Sequence, residues 1–268
     1  MSVHRLFQVL ALEFRFNVRR PLFWIALLLL LYFAWMMSTG VMIISSGEST
    51  VGGQRAWNTS EIAVAQELTV ILGLFYVFFL AVAAGMSVIK DEECKVTEVL
   101  RATPLRSGEY VWGKFLGVFL CFLLVLAAYL AGIAFLNHVV PNAEMAEYRG
   151  PFGLVNYLRP AVILGLPPAI FIAGTSFALG AITRKGILVF FFPLAFLLGC
   201  LFFFWSWSPG WLNPEINRLL MLVDPTGFRW LSETYLEVDR GVQFYNFEPL
   251  VYDGGFLASR LLILALGL

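Results

Sequence analysis

The sequence predicts an all-α, polytopic membrane protein, and three observations carry that prediction. The chain is 60% hydrophobic and 13% charged, against about 45–50% and 25% in typical globular chains. A soluble protein has to keep a polar surface, so this balance makes lipid the solvent. The apolar residues also gather into runs long enough to cross a bilayer. Finally, Lys and Arg fall unevenly between the runs, which sets an orientation.

Residues 1–21 come first. Val3, Leu6, Phe7, Leu10, Phe14 and Val18 recur at helical spacing, with Arg5, Gln8, Arg15 and Arg19 opposite. This pattern predicts an amphipathic helix in the membrane interface, its cations toward headgroups. Pro21 marks the elbow into the first span. Residues 22–45 are 24 positions without a charge, enough for the hydrocarbon core at 1.5 Å per residue. The same test places further spans at 68–89, 111–136, 161–183 and 186–205. Only Arg184 and Lys185 separate the last two, which predicts a tight hairpin.

A long segment, 206–254, precedes the start of a sixth span at 255–268, which is too short for a full crossing. Five complete spans and a sixth cut short are therefore expected, with the chain continuing beyond it as part of something longer. With the N-terminus placed in the cytoplasm, segments 1–21, 90–114 and 184–185 hold eleven Lys/Arg in 48 residues. The opposite segments, 46–67, 137–160 and 206–254, hold six in 95. That bias places the N-terminus inside.

Within 91–107 the acidic residues come early and Arg101 late, the favourable sense for a helix dipole. Thr103-Pro104 ends that helix, because a residue before proline is pushed out of helical geometry. The span that follows opens with "GEYVWGKF", 108–115, which matches the spacing of a phosphate-binding loop. It lacks the final Ser or Thr, follows a Thr-Pro turn and runs into a span instead of opening a soluble helix after a strand. Nucleotide binding is therefore not expected there. Lys114 and Trp112 read instead as anchors at the membrane interface, as do Trp207 and Trp211 at the other face.

Chemistry has little foothold elsewhere. His4 and His138 are the only histidines, and Cys94, Cys121 and Cys200 are scattered. No metal-ligand spacing, cofactor motif or catalytic set is present, so no enzyme activity is expected of this chain. A net charge of zero with no basic block leaves no footprint for nucleic acid. Glu67 falls at the edge of the second span, where it is expected to meet water. Pro167, Pro168, Gly174 and Pro193 interrupt the fourth and fifth spans and read as hinge or pathway-wall candidates; ordinary packing of tilted helices would use the same residues.

The sequence resembles the membrane subunits of type-2 ATP-binding-cassette exporters over nearly its whole length, in the interfacial N-terminal helix, the six-span plan and the long outer segment before the last span, with the motifs in residues 91–114. Glu98, Leu100, Thr103, Pro104, Leu105, Gly113 and Lys114 stand where that family has a Glu-rich short helix, a Leu-x-Thr-Pro-like turn and a Gly-Lys opening the next span. The resemblance implies that 91–107 is a cytoplasmic coupling helix. Glu98, Val99, Leu100, Arg101, Thr103, Pro104 and Leu105 would then meet a separate ATPase subunit. It also implies a second permease copy or homologous half and a location in the bacterial inner membrane. More narrowly, residues 223–250 are similar to the outer segment of bacterial permeases fused to a zinc aminopeptidase-like domain. A non-transporting scaffold or assembly factor, or the membrane part of a larger enzyme, remain the other readings of the same residues.

Overall fold

The computed structural model describes residues 2–42, 56–94, 105–205, 212–238 and 240–268. All regular structure among them is helical. Four helices are long and apolar enough to cross a membrane: Pro21–Ser38, Ser107–His138, Leu154–Thr183 and Gly186–Trp205. The bent pair Glu61–Gly73 and Val77–Asp91, which turns by 43° at its break, makes a fifth if it is counted as one broken span. The protein is polytopic.

Helix α1, Val3–Val18, leads through Arg19 and Arg20 into α2, Pro21–Ser38. Pro21 occupies the first helical turn, where its missing N–H is no loss. The buried residues of α2 are Ala26, Leu30, Ala34 and Ser38, a single row at four-residue spacing. Trp24, Ile25, Leu28, Tyr32 and Trp35 face outward, as befits a helix with protein on one side and lipid on the other. Gly40, at φ 75°, follows its end. Within the charge-free window 22–45 the helix therefore stops at Ser38, and residues 43–45 lie outside the described part.

Helix α3, Glu61–Val70, is capped by Ser60, whose hydroxyl accepts from the Ala63 amide. A wide turn at Ile71–Tyr76 joins it to α4, Val77–Glu93. Helix α5, Ser107–His138, has 32 residues and is about 48 Å long. Helix α6, Leu154–Pro160, passes through a second wide turn, Ala161–Gly165, into α7, Leu166–Thr183. Helix α8, Gly186–Gly199, continues through a third, Cys200–Trp205. All of these but α8 overrun the charge-free windows at their polar ends, because protein neighbours satisfy the groups that lipid would not.

The last part is a cap of short helices at the α3 end of the bundle: α9, Pro214–Val223; α10, Phe228–Leu231; α11, Val242–Phe247; and α12, Gly254–Leu266. The main core joins α2 to α7 around Leu30, Leu68, Phe122, Tyr129, Tyr157 and Ala173. A second core, around Trp230, Leu231, Tyr245 and Phe256, binds the cap to Ile62 and Leu164.

Glycines bring the helices together. A Cβ on Gly180 would stand 2.4 Å from the Gly85 carbonyl oxygen, so α4 and α7 meet backbone to backbone. Ser176 donates to the Ala81 carbonyl at 2.6 Å beside them. The small-xxx-small pair Gly113 and Gly117 does the same for α1. A Cβ at Gly113 would lie 2.7 Å from Val9, and one at Gly117 would lie 2.8 Å from Glu13. From Ser2 beside Glu109 to Phe14 beside Cys121, α1 therefore runs along the first half of α5. The face of α1 turned inward includes two polar residues, Glu13 and Asn17, both buried. Val3, Phe7 and Phe16 stay exposed. The amphipathic stripe is thus shared between protein and surroundings.

Candidate functional site

Of the residues expected in a coupling helix, Glu98, Val99, Leu100, Arg101, Thr103 and Pro104 lie outside the described residues; Leu105 stands just ahead of α5, half-buried. The two helices that flank this segment, however, are joined directly. Lys114, expected as an interface anchor, is buried instead, its side chain 6% exposed. Its ammonium lies 2.6 Å from Asp91 on α4 and 3.3 Å from Glu13 on α1. It also donates to the Ser87 carbonyl at 2.6 Å. The Tyr110 hydroxyl donates to the same Asp91 oxygen at 2.6 Å, and the Tyr110 ring lies 5.5 Å from the ammonium. Asn17 donates to the Glu13 carboxylate at 2.9 Å.

One lysine thus ties three helices. Its three ammonium donors reach two carboxylates and a carbonyl, which satisfies a charge that burial would otherwise make costly. A second acid supports the same corner. Glu109, in the first turn of α5, accepts from the Arg106 amide at 3.1 Å and from the Ser2 amide, with Arg5 at 4.0 Å. Trp112, the other expected anchor on this helix, is partly exposed and packs edge-on against Phe115 at 6.0 Å.

Midway along the bundle, wide turns meet. Leu72, Gly73 and Tyr76 from the first, with Leu164 and Gly165 from the second, line a cavity of ≈ 20 Å³. That is room for about one water molecule and not for a solute. Pro168 and Thr226 also line it. Pro167 and Pro168 sit in the first turn of α7, directly after the wide turn. They lie midway along the continuous helical span Leu154–Thr183, where the wide turn just before them already interrupts the regular α-helical pairing. The Thr226 hydroxyl accepts from Trp205 Nε1 at 3.0 Å and donates to Asp224 at 2.7 Å, linking the third wide turn to the same level. Gly174 is a packing contact: a Cβ there would stand 1.7 Å from the Gly267 carbonyl oxygen. Pro193 is buried on the one side of α8 that meets protein.

Trp207 and Trp211 lie outside the described residues. Asp224 organises what is described. Its carboxylate accepts from the Thr226 and Arg229 amides, each at 2.9 Å. Burial pushes that carboxyl above the usual carboxylate range, while these hydrogen bonds and Arg260 pull it back. Arg260 closes the end of α9 by donating to the Asp224 and Pro225 carbonyls at 2.6 and 3.0 Å. A lone arginine in an apolar helix is thereby accounted for by carbonyls that α9 leaves open.

Glu67 overturns the expectation that it meets water. It is 4% exposed and accepts from the Tyr129 hydroxyl at 2.8 Å. The charge-free window placed the span's edge at residue 68, whereas the helix begins at Glu61 and carries Glu67 into the core. Glu13, Asp91 and Ser87 also escaped the sequence reading. The available signal was the Gly113/Gly117 pair, which marks the face of α5 that receives α1.

A family profile described as ABC-2 family transporter protein matches residues 53–223. That is well over half of the chain and includes the whole stretch between α3 and α9, with the α4 and α5 residues of the Lys114 junction. The chain belongs to the ABC-2 transporter family. This ABC-2 protein is accordingly an integral membrane component of an ATP-binding-cassette transporter. Comparison with curated proteins gave no match. The family match ends at Val223 and so does not bear on the resemblance of 223–250 to aminopeptidase-fused permeases.

Proposed function

We propose that this chain is the permease subunit of an exporter whose energy comes from a separate ATPase subunit docked at residues 91–107. The observation that carries the reading is the joining of α4 and α5 through Lys114, Asp91 and Tyr110. Helix ends tied together in this way present the intervening segment from one rigid base. The family match spans that segment, and the arginine and lysine bias puts it in the cytoplasm with the N-terminus.

In this mechanism, closure of the ATPases on ATP pushes the segment as a rigid body. The Lys114 junction passes the push to α1, α4 and α5 together. The converging wide turns near Pro168 are the level at which helices change their relation, so Pro167, Pro168 and the cavity beside them form the wall that opens. Gly174 and Pro193 then serve as close-packing points about which α7 and α8 move. A second copy of the chain, or a homologous half, completes the pathway, and the inner membrane of a bacterium is the expected home.

Copurification tests the reading. The intact protein recovers an ATPase subunit from membranes. Replacing Glu98 or Pro104 abolishes that recovery while the chain still inserts. Failure of the unaltered protein to recover any ATPase would overturn it.

A further inference from the structure

The elbow between α1 and α2 carries a cation whose hydrogen-bonding capacity is largely unused. Arg20 makes one side-chain hydrogen bond, from Nη1 to Asn17 Oδ1 at 3.2 Å, and its guanidinium lies 4.1 Å from the Phe16 ring centre. Its Nη2 is buried and has no partner among the described residues. Glu13, one of the acids whose charge reaches Arg20, is already engaged by Lys114 and Asn17. Arg20 lines a cleft between α2, α4 and α5, together with Asn17, Phe23, Tyr76, Phe79, Ala83 and Val118. Apart from Asn17 and the Tyr76 hydroxyl these groups are apolar. Leu22, at the mouth, is 41% exposed.

We propose that this cleft binds an anionic phospholipid of the surrounding bilayer, with the headgroup phosphate on Arg20 and the start of an acyl chain against Phe23 and Phe79. Three features choose the occupant. The unpartnered nitrogen calls for an anionic acceptor, and a planar guanidinium binds phosphate oxygens in a fork. The adjoining wall is apolar, which a soluble anion would leave unused. The elbow also stands where α2 enters the membrane, at headgroup level, and the start of α2 adds the positive end of a helix dipole. A lipid held there would brace α1 and α2 against α4. The inference is independent of the transporter reading, since it concerns only the bilayer and the elbow.

The test is lipid retention by the purified protein, read by native mass spectrometry during titration with phosphatidylglycerol or phosphatidylcholine. The expected result is a phosphatidylglycerol held more tightly than phosphatidylcholine. Arg20→Gln should weaken that retention about tenfold, the scale of one lost charge-assisted contact. Arg19→Gln, which alters the exposed neighbour, should leave it unchanged. Ala83→Leu fills the cleft without touching Arg20 and should also release the lipid; this arm decides the matter if Arg20→Gln does not fold. Equal retention of both lipids by the unaltered protein, or full retention by Arg20→Gln, overturns the proposal. Displacement of the lipid by inorganic phosphate alone, with Ala83→Leu indistinguishable from the parent, would show an anion site without a lipid site and overturn it as well.

Discussion

The two ends of the bundle are built from different interactions. At the α4–α5 end, Lys114 meets Asp91 and Glu13, with Glu109 and its partners beside them. At the cap end, Trp230 stacks on Phe256 with ring centres 4.0 Å apart and planes 16° from parallel, and on Tyr252 at 5.4 Å. Charged junctions are directional and depend on every partner being present. Aromatic packing depends on shape and area and tolerates small displacements less. One end can therefore lose its integrity through a single charge change, while the other resists until volume is removed. In the proposed mechanism the charged end receives the push and the aromatic end holds still.

Substitutions can break that contrast. The largest effect is expected at the cap. Trp230→Ala removes a buried ring that touches Tyr235, Tyr252 and Phe256, and should cost about 3–5 kcal/mol. Denaturant unfolding of the solubilised protein would measure it, and the loss should be the same at low and high salt. Lys114→Met should follow at about 3 kcal/mol, because it leaves Asp91 and Glu13 without their cation. Adding Asp91→Asn and Glu13→Gln to it should recover most of that loss. Full additivity of the three changes would show that the junction does not act as a unit.

Gly113→Leu should cost about 1–3 kcal/mol by forcing α1 off α5. Faster proteolysis of the N-terminal 20 residues would report it, with the cap unaffected. The smallest effect, about 1 kcal/mol, is expected for Thr226→Val. It removes the hydroxyl that links Trp205 to Asp224; a larger loss would mean that the level of the wide turns also carries stability.

These features were legible in the sequence to different degrees. The spans could be read because the requirement is local: lipid offers no hydrogen bonds, so each crossing needs its own uninterrupted apolar run. Their ends could not, since a polar residue such as Glu67 is tolerated wherever a neighbouring helix brings a Tyr129 to it. The stretch "GEYVWGKF" lies within α5, and its Lys114 was assigned to the interface. Nothing local to residue 114 indicates that residues 13 and 91 will be beside it.

Composition and periodicity alone determined that this protein lives in a membrane and how its spans follow one another along the chain; an ATPase-facing role for 91–107 is implied only by the family resemblance. Tertiary structure decided where the buried charges meet, that the prolines of α7 follow a wide turn, and that Arg20 keeps an unsatisfied nitrogen. The physical reason is the range of the forces involved. Transfer into lipid is a property of each segment, whereas pairing a buried charge depends on which helices the glycines allow to touch.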